Sequence, residues 1–240
     1  MIELVKVNKS FINFNPIGFG KVKETRILND ISFEIKERDI IGVIGKNGAG
    51  KSTLLKLLFG SLKADSGEIR LNGSSKYYVE ESKNFSLINN NDRSFFWRLS
   101  LRQNLEYFQS ITNKTNNSKI IDLLLEDLSI RRFLDKPFYA LSSGEKKKAL
   151  LYRGLLKDPK VIFFDEFTQS LDLPSKRQII HFMKKLNNEY KRTIFWVTHD
   201  LSEINDLCNK LLIVKNKEIT FYENLKRTDN SQSLEKYLED

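Results

Sequence analysis

Eight residues, Gly45-Lys46-Asn47-Gly48-Ala49-Gly50-Lys51-Ser52, stand between the apolar run Ile40-Ile41-Gly42-Val43-Ile44 and the run Ser52-Thr53-Leu54-Leu55-Lys56-Leu57-Leu58. They fit G-x-x-x-x-G-K-[ST] at every fixed position, and their flanks read as a strand before and a helix after, the context in which this pattern cradles phosphate. Strand, glycine loop and helix in that order begin a β-α unit, so the chain is held to an α/β architecture. Gly45, Gly48 and Gly50 let the backbone take positive φ and bring N–H groups close to an anion at a helix N-terminus. Lys51 is then placed to reach β and γ phosphates, and Ser52 to offer its hydroxyl to Mg²⁺.

A second run, Val161-Ile162-Phe163-Phe164, leads into Asp165-Glu166. Four apolar residues before two acids read as a buried parallel strand whose carboxyl end delivers the acids to a ligand crevice. Asp165 is expected to hold Mg²⁺ through water, and Glu166 to accept a proton from the attacking water. A third strand, Thr193-Ile194-Phe195-Trp196-Val197, ends in Thr198-His199-Asp200, which puts His199 at a strand's carboxyl end, within reach of a γ phosphate. His181, the other histidine, lies in an amphipathic helical stretch and is expected on the surface or in packing.

With these positions placed, the chain resembles the ATP-binding subunit of ABC (ATP-binding cassette) transporters over nearly all of its 240 residues. Gly45 to Thr53 matches that family's Walker A, Leu141-Ser142-Ser143-Gly144-Glu145 its signature, and Val161 to Glu166 its Walker B. Ser170-Leu171-Asp172 matches its D-loop, and Thr198-His199-Asp200 its switch-histidine loop. The resemblance implies ATP as the nucleotide, bound by Gly45, Lys46, Asn47, Gly48, Ala49, Gly50, Lys51, Ser52 and Thr53, with Lys51, Glu166 and His199 catalytic. It implies that Ser142, Ser143 and Gly144, with Glu145, act in trans on the γ phosphate held by a second cassette, in a homodimer or a heterodimer. Adenine would stack on an aromatic of the first strand, with Phe11 in the usual place and Phe14 or Phe19 as alternatives. The family's Mg²⁺-side glutamine falls on Asn91 when counted back from Asn104; the other reading of Asn91 is a plain loop asparagine.

Three departures from the family's pattern lean the expectation toward exporters of polysaccharide, lipid or drug cargo. Ser143 stands where the signature usually has glycine, about a dozen extra residues follow Phe11, and the stretch 93–99 reads Arg-Ser-Phe-Phe-Trp-Arg-Leu. Phe167 replaces the proline that normally follows Walker B, a change expected to affect loop rigidity more than chemistry. The aromatics Phe95, Phe96 and Trp97 are either a groove for a transmembrane permease subunit or internal packing.

Alternating strand and helix patterns give one folded unit over 1–240, a P-loop NTPase with a mainly parallel sheet. An antiparallel β subdomain is expected near the N-terminus, and a helical subdomain at 92–157 between core segments 1–91 and 158–240. Strands are expected at 2–7, 31–35, 39–44, 193–197, 211–214 and 218–222, with a turn at Ser66-Gly67 and a hairpin at Asn72-Gly73. Helices are expected at 101–109, 118–128, 143–157, 174–188 and 201–207, with an exposed loop at 112–118.

No apolar run approaches the length needed to span a bilayer, and the N-terminus lacks the form of a secretion signal, so the expected place is the cytoplasmic face of a membrane, peripherally. The net charge of +9 is spread along the chain and reads chiefly as solvated surface, with attraction to an anionic leaflet second and no nucleic acid expected. The rival readings are a soluble ABC ATPase acting on ribosomes or nucleic acid, and a regulatory cassette in a heterodimer.

Overall fold

The computed structural model describes residues 1–13, 23–112, 119–223 and 225. Two long strands open the chain, β1 (Ile2–Asn13) and β2 (Lys23–Ile35), and pair antiparallel, with Leu4 opposite Phe33 and Phe11 opposite Thr25. Strand β4 (Ser66–Leu71) pairs antiparallel on the other side of β1, giving a three-stranded sheet in the order β2-β1-β4. Both opening strands are longer than expected, and Ser66-Gly67 begins β4 instead of turning ahead of it.

The larger sheet takes β3 (Ile40–Ile44), β5 (Ser86–Ile88), β6 (Val161–Asp165), β7 (Thr193–Val197), β8 (Lys210–Lys215) and β9 (Glu218–Tyr222) in the order β5-β6-β7-β3-β8-β9. Every neighbouring pair is parallel except β8 with β9. Strands β3, β6, β7 and β8 are buried on both faces, which explains their largely apolar runs. Successive side chains point to opposite faces, so Ile162, Phe164, Ile194 and Trp196 pack on one side while Val161, Phe163, Phe195 and Val197 pack on the other.

The first of these faces is covered by helices α3 (Leu101–Thr112), α4 (Lys119–Asp127), α5 (Ser143–Leu155), α6 (Leu173–Asn188) and α7 (Leu201–Leu207). The second is covered by α1 (Lys51–Phe59) and the antiparallel sheet. Helix α5 starts at a capping box: Ser142 Oγ accepts from Glu145 N at 3.2 Å and Glu145 Oε2 accepts from Ser142 N at 2.8 Å. Such a box satisfies two backbone donors that the first helical turn leaves free, and a cap of this kind stabilises by about 1 kcal/mol.

The Asn72-Gly73 hairpin does not form. Both residues take the positive φ of a tight turn, 49° and 78°, but the chain returns for a single bridge, Leu71 to Ser74. Ser74 then accepts from Tyr77 N at 3.2 Å and caps a further helix, α2 (Ser75–Glu81). Most of the expected 112–118 loop lies outside the described residues, and Thr112 closes α3. Among the described residues no helix is long and apolar enough to cross a membrane.

Candidate nucleotide and hydrolysis site

Three adjacent parallel strands, β6, β7 and β3, aim their carboxyl ends at one edge of the sheet. Asp165, Val197 and Val43 occupy one row across them, so Glu166, His199 and Gly45 fall just beyond the same line. With strands about 4.8 Å apart, residues remote in sequence meet within one nucleotide's reach.

The loop from Gly45 to Gly50 lies beyond β3. Gly45, Gly48 and Gly50 have φ of 156°, 81° and 111°. A Cβ on Gly45 would lie 2.4 Å from Val214 O, and one on Gly50 would lie 2.8 Å from Ile27 Cγ2, so the loop is wedged between β8 and β2 where only glycine fits. Lys46, Asn47 and Gly48 are exposed, and Ala49 is half-buried. Lys51 is buried; its ammonium donates to Gly45 O at 2.7 Å and Lys46 O at 3.1 Å, which folds the side chain over the loop. Burial lowers its pKa, an effect opposed by Glu166 and Asp165. Thr53 follows in the first turn of α1, half-buried.

Ser52 Oγ donates to Asp165 Oδ2 at 3.2 Å. Burial raises the Asp165 carboxyl above the ordinary range, the Ser52 bond draws it down and Glu166 pushes it up again. A hydroxyl and a carboxylate oxygen at this spacing can take neighbouring vertices of an Mg²⁺ octahedron, whose metal–oxygen distances are about 2.0–2.1 Å, leaving the rest to phosphate and water. The residues therefore fit Mg²⁺ as a nucleotide-bridging ion. Among the described residues no cluster of three His, Cys, Asp or Glu could hold a metal without such a bridge.

Glu166 takes a left-handed φ of 49°, and its N–H donates to Val197 O at 3.0 Å, which bends the chain out of β6. Its Oε1 lies 2.8 Å from His199 Nε2, both side chains being partly exposed. Glu166 and His199 are thus in direct contact.

The remaining expected positions are spread around this centre. Ser142 and Ser143 are exposed at the start of α5, with Gly144 and Glu145 half-buried behind them; Glu145 pairs with Lys136 at 2.9 Å. Ser170 is exposed at φ 66°, and Asp172 stands at the N-cap of α6. Phe11 is 41% exposed on β1 beneath Lys9, whose ammonium lies 5.6 Å from the ring centroid. It faces Thr25, two residues from the Ile27 that touches Gly50, so it is near the phosphate loop along the sheet. Phe14 and Phe19 lie outside the described residues.

Asn91 is turned into its own loop, where its Oδ1 accepts from Arg93 N at 3.1 Å. Its neighbour Asn90 is the amide that reaches the acidic strand, donating to Glu166 O at 3.0 Å and accepting from Lys147 Nζ. The aromatic stretch divides. Phe95 is core, stacked on Phe138 with centroids 4.3 Å apart, while Phe96 and Trp97 are exposed. Fully buried Asn104 holds this stretch, accepting from Phe96 N at 2.7 Å and donating to Phe96 O and Ser100 O at 3.0 Å. Phe167 is fully buried against Phe164, so its replacement of proline adds to the core. Sequence reasoning passed over Asn90, Lys147, Lys176 and Glu203, whose contacts with Glu166, Asn90, Asp200 and Thr168 cross 24 to 76 residues of chain.

A family model described as ABC transporter matches residues 28–169, and one described as an AAA domain matches residues 135–205, less than half of the chain. The chain is 32% identical over 210 residues to the energy-coupling factor transporter ATP-binding protein EcfA of Malacoplasma penetrans, covering 85% of this chain and 72% of that one. It is 28% identical to the methionine import ATP-binding protein MetN of Clostridium tetani, covering 94% and 70% respectively. The fold matches a dimeric ATP-binding cassette solved in a post-hydrolysis state with ADP and Pi, at a TM-score of 0.74 and 22% identity over 94% of this chain and 99% of that one. A phosphate loop facing an acid pair, in a chain matched by that family model over more than half its length, makes this protein a member of the ABC transporter family and an ATPase.

Proposed function

We propose that the chain binds ATP along Gly45 to Thr53 with adenine on Phe11, hydrolyses it with Glu166, His199 and Lys51, and drives transport through a separate membrane subunit. The observation that carries this reading is the pairing of Ser52 with Asp165 at 3.2 Å beside that of Glu166 with His199 at 2.8 Å. Glu166 takes a proton from the attacking water, His199 holds that carboxylate toward the γ phosphate, and Lys51 turns from the loop carbonyls to the phosphates. Ser52 and Asp165 would hold an Mg²⁺ ion, which when bound would supply positive charge to offset that on the phosphates. Asn90 is a better candidate than Asn91 for the amide that senses the acid pair, since it already touches Glu166.

Residues 92–157 form the helical subdomain in this proposal, and Ser142 to Glu145 present a helix N-terminus to ATP on a second cassette, with Ser170 and Asp172 at the same interface. The chain works peripherally at the cytoplasmic face of the membrane. Export is not part of the proposal. Its basis is Ser143, the residues after Phe11 and the 93–99 stretch, whereas the relative MetN of Clostridium tetani is named for import.

Replacing Glu166 with Gln tests the chemistry, because it keeps shape and removes the base. ATP binding should persist while turnover falls on the order of a hundredfold or more. Turnover within about threefold of wild type would show that Glu166 is not the base.

A further inference from the structure

We infer that Glu203 is a positioning residue for hydrolysis: its buried carboxylate fixes the spacing between the loop that carries Glu166 and the loop that carries His199. Glu203 lies on α7 and is 1% exposed. Its Oε2 accepts from Thr168 Oγ1 at 2.8 Å and from Trp196 Nε1 at 3.0 Å. Thr168 stands two residues after Glu166, and Trp196 three residues before His199. One oxygen therefore ties the strand that ends in the histidine to the segment that leaves the glutamate.

The other oxygen extends the link. Lys176 Nζ lies 3.4 Å from Glu203 Oε1 and 2.9 Å from Asp200 Oδ2, so a single ammonium bridges α7 to the residue beside His199. Lys176 belongs to the first turn of α6, the helix whose N-cap is Asp172. Glu166, Thr168, Ser170, Lys176, His199 and Glu203 line one cavity of about 160 Å³, so the network and the catalytic pair share a wall.

A buried carboxylate is a poor device for stability alone, because desolvation costs about as much as the pairing returns and an apolar replacement is often as stable. It is a good device for geometry, since Thr168, Trp196 and Lys176 are held only where they all meet it. Glu166 needs such restraint: at φ 49° it sits in a backbone region that a non-glycine residue keeps only when its surroundings impose it.

The inference rests on Glu166 and His199 being the hydrolytic pair, and its test keeps the two apart. Steady-state kinetics of the full chain, normalised to titrated nucleotide sites, would be measured for Glu203→Gln, Lys176→Met, their double variant and Glu166→Gln. Glu203→Gln keeps an acceptor for Thr168 and Trp196 but loses the charge facing Lys176. We expect kcat to fall roughly tenfold to a hundredfold with KM within about twofold, since misplacement of about 1 Å can cost that much in rate. Lys176→Met should lower kcat in the same way, and the double variant should be no slower than the slower single. A purely structural role would reduce titrated sites and the thermal midpoint but leave kcat per site unchanged. Unchanged kcat in folded Glu203→Gln, or losses that multiply in the double variant, would overturn the inference. If Glu203→Gln fails to fold, the partly exposed Lys176→Met decides by the same criterion. Normal turnover in Glu166→Gln would instead overturn the assignment beneath it.

Discussion

Asp165 carries a pKa raised first by burial, then lowered by the Ser52 hydroxyl and raised again by Glu166. Its folded-state value lies above the unfolded one, so its contribution to stability is full below the unfolded pKa and lost as pH rises through the folded pKa. At neutral pH the ionised carboxylate is therefore a liability of the nucleotide-free protein, and a cation beside it removes that liability. Asp165→Asn should raise the thermal midpoint of the nucleotide-free protein at neutral pH by a few degrees, taking about 2–4 °C per kcal/mol for a chain of this size. The same variant should lose the extra stabilisation that Mg²⁺ adds to ATP. Thermal unfolding of both proteins, with ATP and with or without Mg²⁺, makes the measurement. An unchanged Mg²⁺ increment in the variant would mean that Asp165 does not hold the ion.

Helix α5 is linked to the segment after β6 through Lys147, by way of Asn90, which donates to Glu166 O. Its ammonium is buried, pairs with Asn90 Oδ1 and lies 5.1 Å from the centre of the Phe167 ring. Burial lowers its pKa from 10.5 to about 8. Between those values the unfolded chain holds more protons than the folded one, so stability should rise with pH across that window. Lys147→Met should flatten the rise. At neutral pH, where Lys147 is charged in both states, the substitution should raise stability, because it removes the desolvation cost of the ammonium. Denaturant midpoints of both proteins across the window decide it; parallel pH profiles would show that burial does not lower the Lys147 pKa. Neither this helix's cap nor β6, β7 or α7 was hard to read from sequence, because Ser142 with Glu145, the apolar runs and Asp200 are local signals. Strand β5 is three residues long and leaves too short a pattern, while α2 hides behind a turn dipeptide that suits a hairpin equally well. Gly45 to Ser52, Asp165, Glu166 and His199 were legible for the same local reason. Asn90, Lys147, Lys176 and Glu203 were not, since each matters through a partner that only the folded sheet brings near.

The surface that would turn ATP hydrolysis into transport must be rigid at its base and apolar at its face. Phe96 and Trp97 are 46% and 53% exposed, with Tyr139 at 59% bonded to the same stretch through Trp97 O. Beneath them Asn104 and the Phe95–Phe138 stack fix the backbone, and Lys146 lies 4.9 Å from the Trp97 ring centroid. Holding a large aromatic in one pose before a partner arrives lowers the ordering cost of binding, and such an anchor commonly carries about 2 kcal/mol, roughly thirtyfold in affinity. Trp97→Ala should therefore reduce the fraction retained on membranes that contain the transporter subunit, with the thermal midpoint moving by no more than about 2 °C because the ring is mostly in solvent. The net charge of +9 gives a second route to a membrane, attraction to anionic lipid, which salt screens. Retention measured at about 0.15 M and 0.5 M salt separates the two, because docking through Trp97 persists where lipid attraction fades. A Trp97 difference present at both salt concentrations places the docking surface on this loop, and full retention of the variant at high salt places it elsewhere.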